Sequence, residues 1–207
     1  MDKEIIGILA GVVLLFSYWL YVRDMWWGTT RPSRSSWWVL FEVWVVILLS
    51  SLYSAPEASD WVTMTSRWLA IASIAGTLTV AISSIWRGDN TKKRWTKFDW
   101  ICAICAGIAL IFYFLFHNPE VSFIFAILAD FSAMFPTIIN ARDNPEQENL
   151  IAWVVTLLSC VISLFAISEW GSSFQSVSNW ALPVYLVVID SITTFFIARR
   201  FLFKKKA

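Results

Sequence analysis

"ADFSAMFP" at 129–136 and "IDSITT" at 189–194 each set one aspartate among apolar and hydroxyl-bearing residues: Asp130 beside Ser132, Asp190 beside Ser191, Thr193 and Thr194. A carboxylate in such surroundings does one of two things. It accepts a hydrogen bond or a proton in a wet cavity, or it ties two helices together through hydroxyl and main-chain partners. An ionisable group at the centre of a membrane helix costs about 2.5–3.5 kcal/mol on insertion scales, so either role has to repay that cost. Glu42, between Phe41 and Trp44, is shallow enough to reach an interface or an arginine of the adjoining connector. Arg67 can extend outward toward Glu57 or Asp60. Thr156, Ser159 and Ser163 recur at spacings of three and four and share one helical face, as packing contacts or as cavity lining. Tyr18, Trp19, Phe131 and Trp153 lie near these polar groups and either sandwich the flat face of a solute or meet lipid.

Other chemistries find no residues. No lysine lies within an apolar run, so a retinal Schiff base has nowhere to form. There is no glycine-rich phosphate loop, no HExxH and no histidine cluster. His117 is the only histidine and ends its run. Cys102-x-x-Cys105 has no second pair; with Cys160 these cysteines read as small apolar residues of packed helices. We therefore expect no catalytic residue, no metal ligand, no cofactor and no nucleic-acid partner. The expected partners are a small-molecule solute and membrane lipids.

The elements that must position these groups are long. Of 207 residues 58% are hydrophobic and 15% charged, with mean hydropathy +0.64; a soluble domain carries about a quarter charged residues. Crossing a hydrocarbon core takes about 20 apolar residues. Seven such runs occur, near 4–22, 36–54, 62–86, 98–117, 120–139, 148–168 and 181–203. They predict an all-α membrane protein of seven transmembrane helices. The first run opens acid-basic-acid (Asp2, Lys3, Glu4) without a small-residue cleavage site, so it is expected to stay as a span.

Local charge gives the orientation. The first, third and fifth connectors and the tail together hold 14 of the 16 lysines and arginines; only Lys3 and Arg67 fall elsewhere. The positive-inside rule puts that side in the cytoplasm and the N-terminus outside the cell membrane. In "RDMWWGTTRPSRSSWW" (23–38) the arginines fix the side, Gly28 and Pro32 break the helix, the tryptophans suit an interface, and Ser35 or Ser36 can cap the next helix. A solute gate built from those arginines and tryptophans is the competing reading.

The first three runs align with the last three. "LLFSYWLYVRD" (14–24) lies over "ADFSAMFPTIINARD" (129–143): Phe16-Ser17 matches Phe131-Ser132, and each segment ends in Arg-Asp. A proline then a tryptophan follow in each, Pro32 and Trp37 against Pro145 and Trp153. An unpaired fourth run lets both copies point the same way. This predicts a first repeat with its loop at 1–97, a linker helix at 98–118, and a second repeat with the basic tail at 119–207.

That layout, with "YVRDMWWGTTRPSRSSWW" and "FPTIINARDNPEQENLIAW", resembles the superfamily of SWEET, PQ-loop and nicotinamide riboside transporters. Pro136 stands at the PQ-loop proline and Thr137 at its glutamine, while Tyr21 occupies the first half's proline position. The resemblance implies transport of a small polar solute by alternating access, as a uniporter or coupled to protons. It implies a midplane site from Asp130, Asp190, Ser132, Ser17, Thr194, Trp19 and Trp153, with Pro136 and Tyr21 at gate or hinge positions. A non-transporting receptor-like or scaffolding bundle, its acids serving as helix glue, is the alternative.

Overall fold

Asp2 opens the first helix. Its carboxylate accepts a hydrogen bond from the Glu4 N–H, 3.4 Å away, satisfying one of the donors that a helix start leaves free. From there α1 runs Lys3–Trp27 and ends at Gly28, whose φ of 79° suits glycine and lets its N–H return to the carbonyls of Asp24 and Met25. In the computed structural model the other elements are α2 (Arg34–Tyr53), α3 (Thr65–Arg87), α4 (Pro119–Asp143), a 3-10 turn (Pro145–Gln147), α5 (Leu150–Ala166) and α6 (Phe174–Leu202). The structure describes residues 2–32, 34–53, 65–88, scattered positions between 100 and 115, 119–167 and 170–202.

Every element among the described residues is helical. Four stretches are long and apolar enough to cross a membrane: Lys3–Trp27, Arg67–Arg87, Phe123–Asp143 and Trp180–Phe201. Ser36–Leu49 and Leu150–Ala166 are shorter apolar helices. Large apolar side chains such as Val12, Phe16, Ile82, Leu128, Leu158 and Phe195 face outward, as hydrocarbon surroundings require. Only scattered positions of the expected linker at 98–118 are described, and these are helical. Cys102, Cys105, His117, Glu57, Asp60 and the basic residues at 92–97 and 204–206 lie outside the described residues.

Helix ends depart from the apolar runs for a simple reason. A run stops where charge begins, but main-chain hydrogen bonding does not. α1 and α4 therefore continue through Arg23-Asp24 and Arg142-Asp143, and each dipeptide closes its own ion pair, at 2.9 and 2.8 Å. Because α2 already begins at Arg34, Ser36 sits within its first turn and does not cap it; its buried hydroxyl has no hydrogen-bond partner among the described residues. Arg34 instead donates to the Ser84 and Ile85 carbonyls at 2.8 and 2.7 Å, placing a cation on the negative end of α3.

The helices pack in a closed set of pairs. α1 lies on α3 and α5, α2 on α3 and α4, and α6 on α4 and α5. Gly7, Ala10 and Gly11 keep the buried side of α1 small, so backbones approach closely. There the Ser159 hydroxyl of α5 donates to the Ala10 carbonyl at 2.8 Å. Aliphatic residues such as Leu14, Val43, Ile47, Leu69, Leu182 and Ile197 fill the core between these pairs.

Candidate functional site: a six-helix cavity

On each helix, residues three or four apart form a stripe, and six stripes meet around one cavity of about 60 Å³. α1 contributes Leu14, Ser17, Tyr18 and Tyr21; α2 contributes Trp37, Leu40 and Trp44; α3 contributes Ser73 and Thr77. From the second half come Asp130 and Met134 of α4, Ala152, Trp153, Thr156 and Cys160 of α5, and Leu186, Ile189 and Asp190 of α6. A water needs about 10–15 Å³ measured this way, so the space suits a few waters.

The two aspartates are buried and share this cavity. Asp130 accepts a hydrogen bond from the Tyr185 hydroxyl at 2.7 Å, and Asp190 one from the Cys160 thiol at 3.3 Å. Both donors belong to the second half, which also holds both acids. The first half supplies rings and hydroxyls. Ser17 bonds across to Thr156 at 2.6 Å, directly joining α1 to α5. Trp37 packs on Tyr18 and Tyr21, at ring separations of 6.2 and 5.1 Å. Tyr18 lies so close over Gly76 that any Cβ there would overlap its ring. Thr77 returns its hydroxyl to the Ser73 carbonyl at 2.6 Å. The Ser73 hydroxyl, only 1% exposed, lies beside the Tyr18 hydroxyl.

Below the cavity lies a second polar group. Glu148, in the connector between α4 and α5, is buried and accepts hydrogen bonds from Tyr21 (3.3 Å), Trp153 (3.2 Å) and Asn140 (3.1 Å). Burial pushes its carboxyl above the ordinary range, and these three donors offset part of that. Its neighbour Asn149 caps α5 by accepting from the Ala152 N–H and donates to Asp24 at 2.6 Å. The C-terminal end of α1 is thus fastened to the second half at two successive residues.

Of the residues expected at the site, the cavity brings together Asp130, Asp190, Ser17 and Trp153, with Tyr21 at its lower edge. Tyr18 and Thr156 also join it. Trp19 does not: it is 57% exposed, stacks on Phe16 and carries the Arg23 guanidinium on its ring. Ser132 is two residues from Asp130, about 200° around the helix axis; its hydroxyl returns to the Leu128 carbonyl at 2.8 Å. Thr194 is buried one turn beyond Asp190 and donates to the Trp153 carbonyl at 3.5 Å, outside the cavity wall. Phe131 faces outward, and Ser163 bonds within its own helix to the Cys160 carbonyl. Pro136 falls inside α4. Glu42 is exposed on α2, whereas Arg67 is buried on α3 rather than extended outward.

Glu148, Tyr185, Trp37 and Trp44 were not expected at the site. Trp37, Leu40 and Trp44 do form a stripe at helical spacing, which was visible in the sequence. Glu148 gave no such signal, because its burial depends on donors far away in the chain. Pro183, buried inside α6 seven residues before Asp190, was also passed over. Comparisons with protein-family models, curated proteins and solved structures find no match for this chain.

Proposed function

We propose that the chain is a multi-pass carrier of the cell membrane, moving a small polar solute by alternating access and catalysing no reaction. In this reading it has seven transmembrane helices, two like-oriented triplets (α1–α3 and α4–α6) joined by the helix at 98–118, and an architecture like that of SWEET and PQ-loop transporters. The N-terminus is outside and the basic tail cytoplasmic. The observation that carries the reading is the convergence of Asp130 and Asp190, from two different helices, on one cavity walled by all six helices of the triplets.

The packing pairs support the repeat. Exchanging the triplets turns α1–α3 into α4–α6 and α2–α3 into α5–α6, and it maps the cross-contacts α1–α5 and α2–α4 onto each other. The two Arg-Asp ion pairs support it as well. A cavity of about 60 Å³ is well below the roughly 300 Å³ at which ligand pockets begin. A solute therefore has to enter by separation of helices, and Pro183, which removes one main-chain hydrogen bond from α6, gives that helix a weak point.

One observation favours the second reading, a receptor-like or scaffolding bundle: each aspartate already has a donor from its own half. The experiment that separates the two is solute uptake into proteoliposomes, with and without a pH gradient, beside Asp130→Asn. A carrier gives saturable uptake above protein-free vesicles. Gradient-driven uptake that Asp130→Asn abolishes identifies a coupling role, and unchanged uptake by the variant leaves a uniporter. Absence of uptake for every solute in a broad panel, with a variant that only melts earlier, sinks the carrier and leaves the bundle.

A further inference from the structure

Asp130 and Asp190 of α4 and α6 line the cavity together with the rings of Tyr18, Trp37 and Trp44 from α1 and α2 and of Trp153 from α5. Among the described residues, no lysine, arginine or histidine lines the space. The remaining titratable groups around it are Tyr21 of α1, Cys160 of α5 and Tyr185 of α6, and none of them carries positive charge. The buried Arg67 lies on α3 six residues before Ser73, about 9 Å along the axis, and is not part of the wall. Two carboxylates sharing a small apolar space repel each other unless protons or a cation neutralise them.

From this arrangement we infer that the cavity takes a small organic cation, an ammonium group held among the two carboxylates and the rings that line the same space, in exchange for protons on Asp130 and Asp190. The inference deepens the carrier reading and rests on it for the direction of movement, but not for binding. Aromatic rings attract a desolvated cation, and a carboxylate adds a charge-assisted hydrogen bond. A neutral polyol gains neither, and an anion is repelled. Because protons and the cation compete for the same oxygens, binding weakens as pH falls.

The test uses the purified full chain with ammonium, methylammonium and choline. 3,3-dimethyl-1-butanol serves as the uncharged isostere of choline, and glucose as a neutral polar solute. Thermal stabilisation and equilibrium binding are read at low and high pH. At least one cation is expected to raise Tm and to bind more tightly at high pH, while the isostere and glucose do neither. Asp130→Asn or Asp190→Asn weakens that binding about tenfold or more, the worth of one lost charged partner. Glu42→Gln, on the exposed side of α2, leaves it unchanged and controls for general loss of charge. If one aspartate variant fails to fold, the other decides. Stabilisation by glucose or the isostere without a cation effect, or no effect of any cation, overturns the inference. Cation binding without uptake into proteoliposomes keeps the site and removes the carrier. Uptake of a neutral solute without cation binding does the reverse.

Discussion

Tyr21 and Glu148 lie 127 positions apart in the chain and meet at 3.3 Å, the tyrosine hydroxyl donating to the carboxylate that Trp153 and Asn140 also address. Both rings that reach Glu148 belong to the wall of the cavity above it. One carboxylate therefore fixes the lower ends of α1 and α5 together. In the proposed carrier this cluster, with Asn149 on Asp24, is the contact that has to open for solute to leave on that side.

Tyr21→Phe removes one donor and leaves two, so it is expected to destabilise by about 1 kcal/mol. Glu148→Ala leaves two buried donors, Tyr21 and Trp153, and the half-buried Asn140 without their acceptor and is expected to cost about 3 kcal/mol or more. Denaturant unfolding of the purified chain measures both. Equal effects would mean that Glu148 is not the hub of the cluster.

The same group predicts a pH response. Burial raises the Glu148 carboxyl above its unfolded value, so the folded state holds this proton more tightly than the unfolded chain does. Its contribution to stability is therefore full below the unfolded carboxyl range, near pH 4.3, and is lost as pH rises through the raised value. Melting curves across that interval should show a decline in the wild-type chain that Glu148→Gln flattens. An identical slope in the variant would assign the decline to other groups.

Much of this was legible in advance. Apolar runs located the six long helices described, and charge within an apolar run singled out Asp130 and Asp190, which one cavity brings together. Adjacency in sequence is the weaker guide: Trp19 and Ser132 stand next to cavity residues, yet one or two residues along a helix turn a side chain to the other side. Glu148 opens the apolar run at 148–168, where hydropathy reads only a polar end to a span, whereas its burial depends on Tyr21 and Trp153 reaching it. Tyr185 was missed likewise, since its partner Asp130 lies 55 positions away.

Gly76 has a packing role that a helix interior rarely gives to glycine. A methyl group there would occupy the place of the Tyr18 ring, so Gly76→Ala is expected to destabilise by about 1–3 kcal/mol and to push the tyrosine into the cavity. In a Tyr18→Ala background the same substitution should cost much less, a non-additivity that a double-mutant cycle reads directly. Additive effects would show that the ring is free to move aside.

The two halves also meet through Ser17 and Thr156. Ser17→Ala and Thr156→Val are each expected to cost about 1 kcal/mol, with the double variant costing less than the sum because both remove the same hydrogen bond. If their costs add, each hydroxyl is held by a partner of its own, as Thr156 is in part by the Ala152 carbonyl at 3.1 Å.

The number of crossings can be tested independently of any solute. Seven spans put the two ends of the chain on opposite sides of the membrane, with the arginine-bearing end of α1 on the same side as the tail. The segment at 98–118 decides this. If it crosses, α1 and α4 run in the same direction, and their Arg-Asp ends, Arg23-Asp24 and Arg142-Asp143, lie on one side with 14 of the 16 basic residues. Side-specific reporters fused separately to each terminus should therefore give opposite signals, with the C-terminal one cytoplasmic. Removing the charge of Lys204, Lys205 and Lys206 should leave this unchanged, because the connectors near 23–34 and 87–97 still hold eight cations on that side. Reporters on the same side would require an even number of spans. The triplets would then have to be oppositely oriented, which the contacts of Tyr21 with Glu148 and Asp24 with Asn149 oppose by holding the ends of α1 and α4 on one side, so the cavity would fall with the parallel repeat.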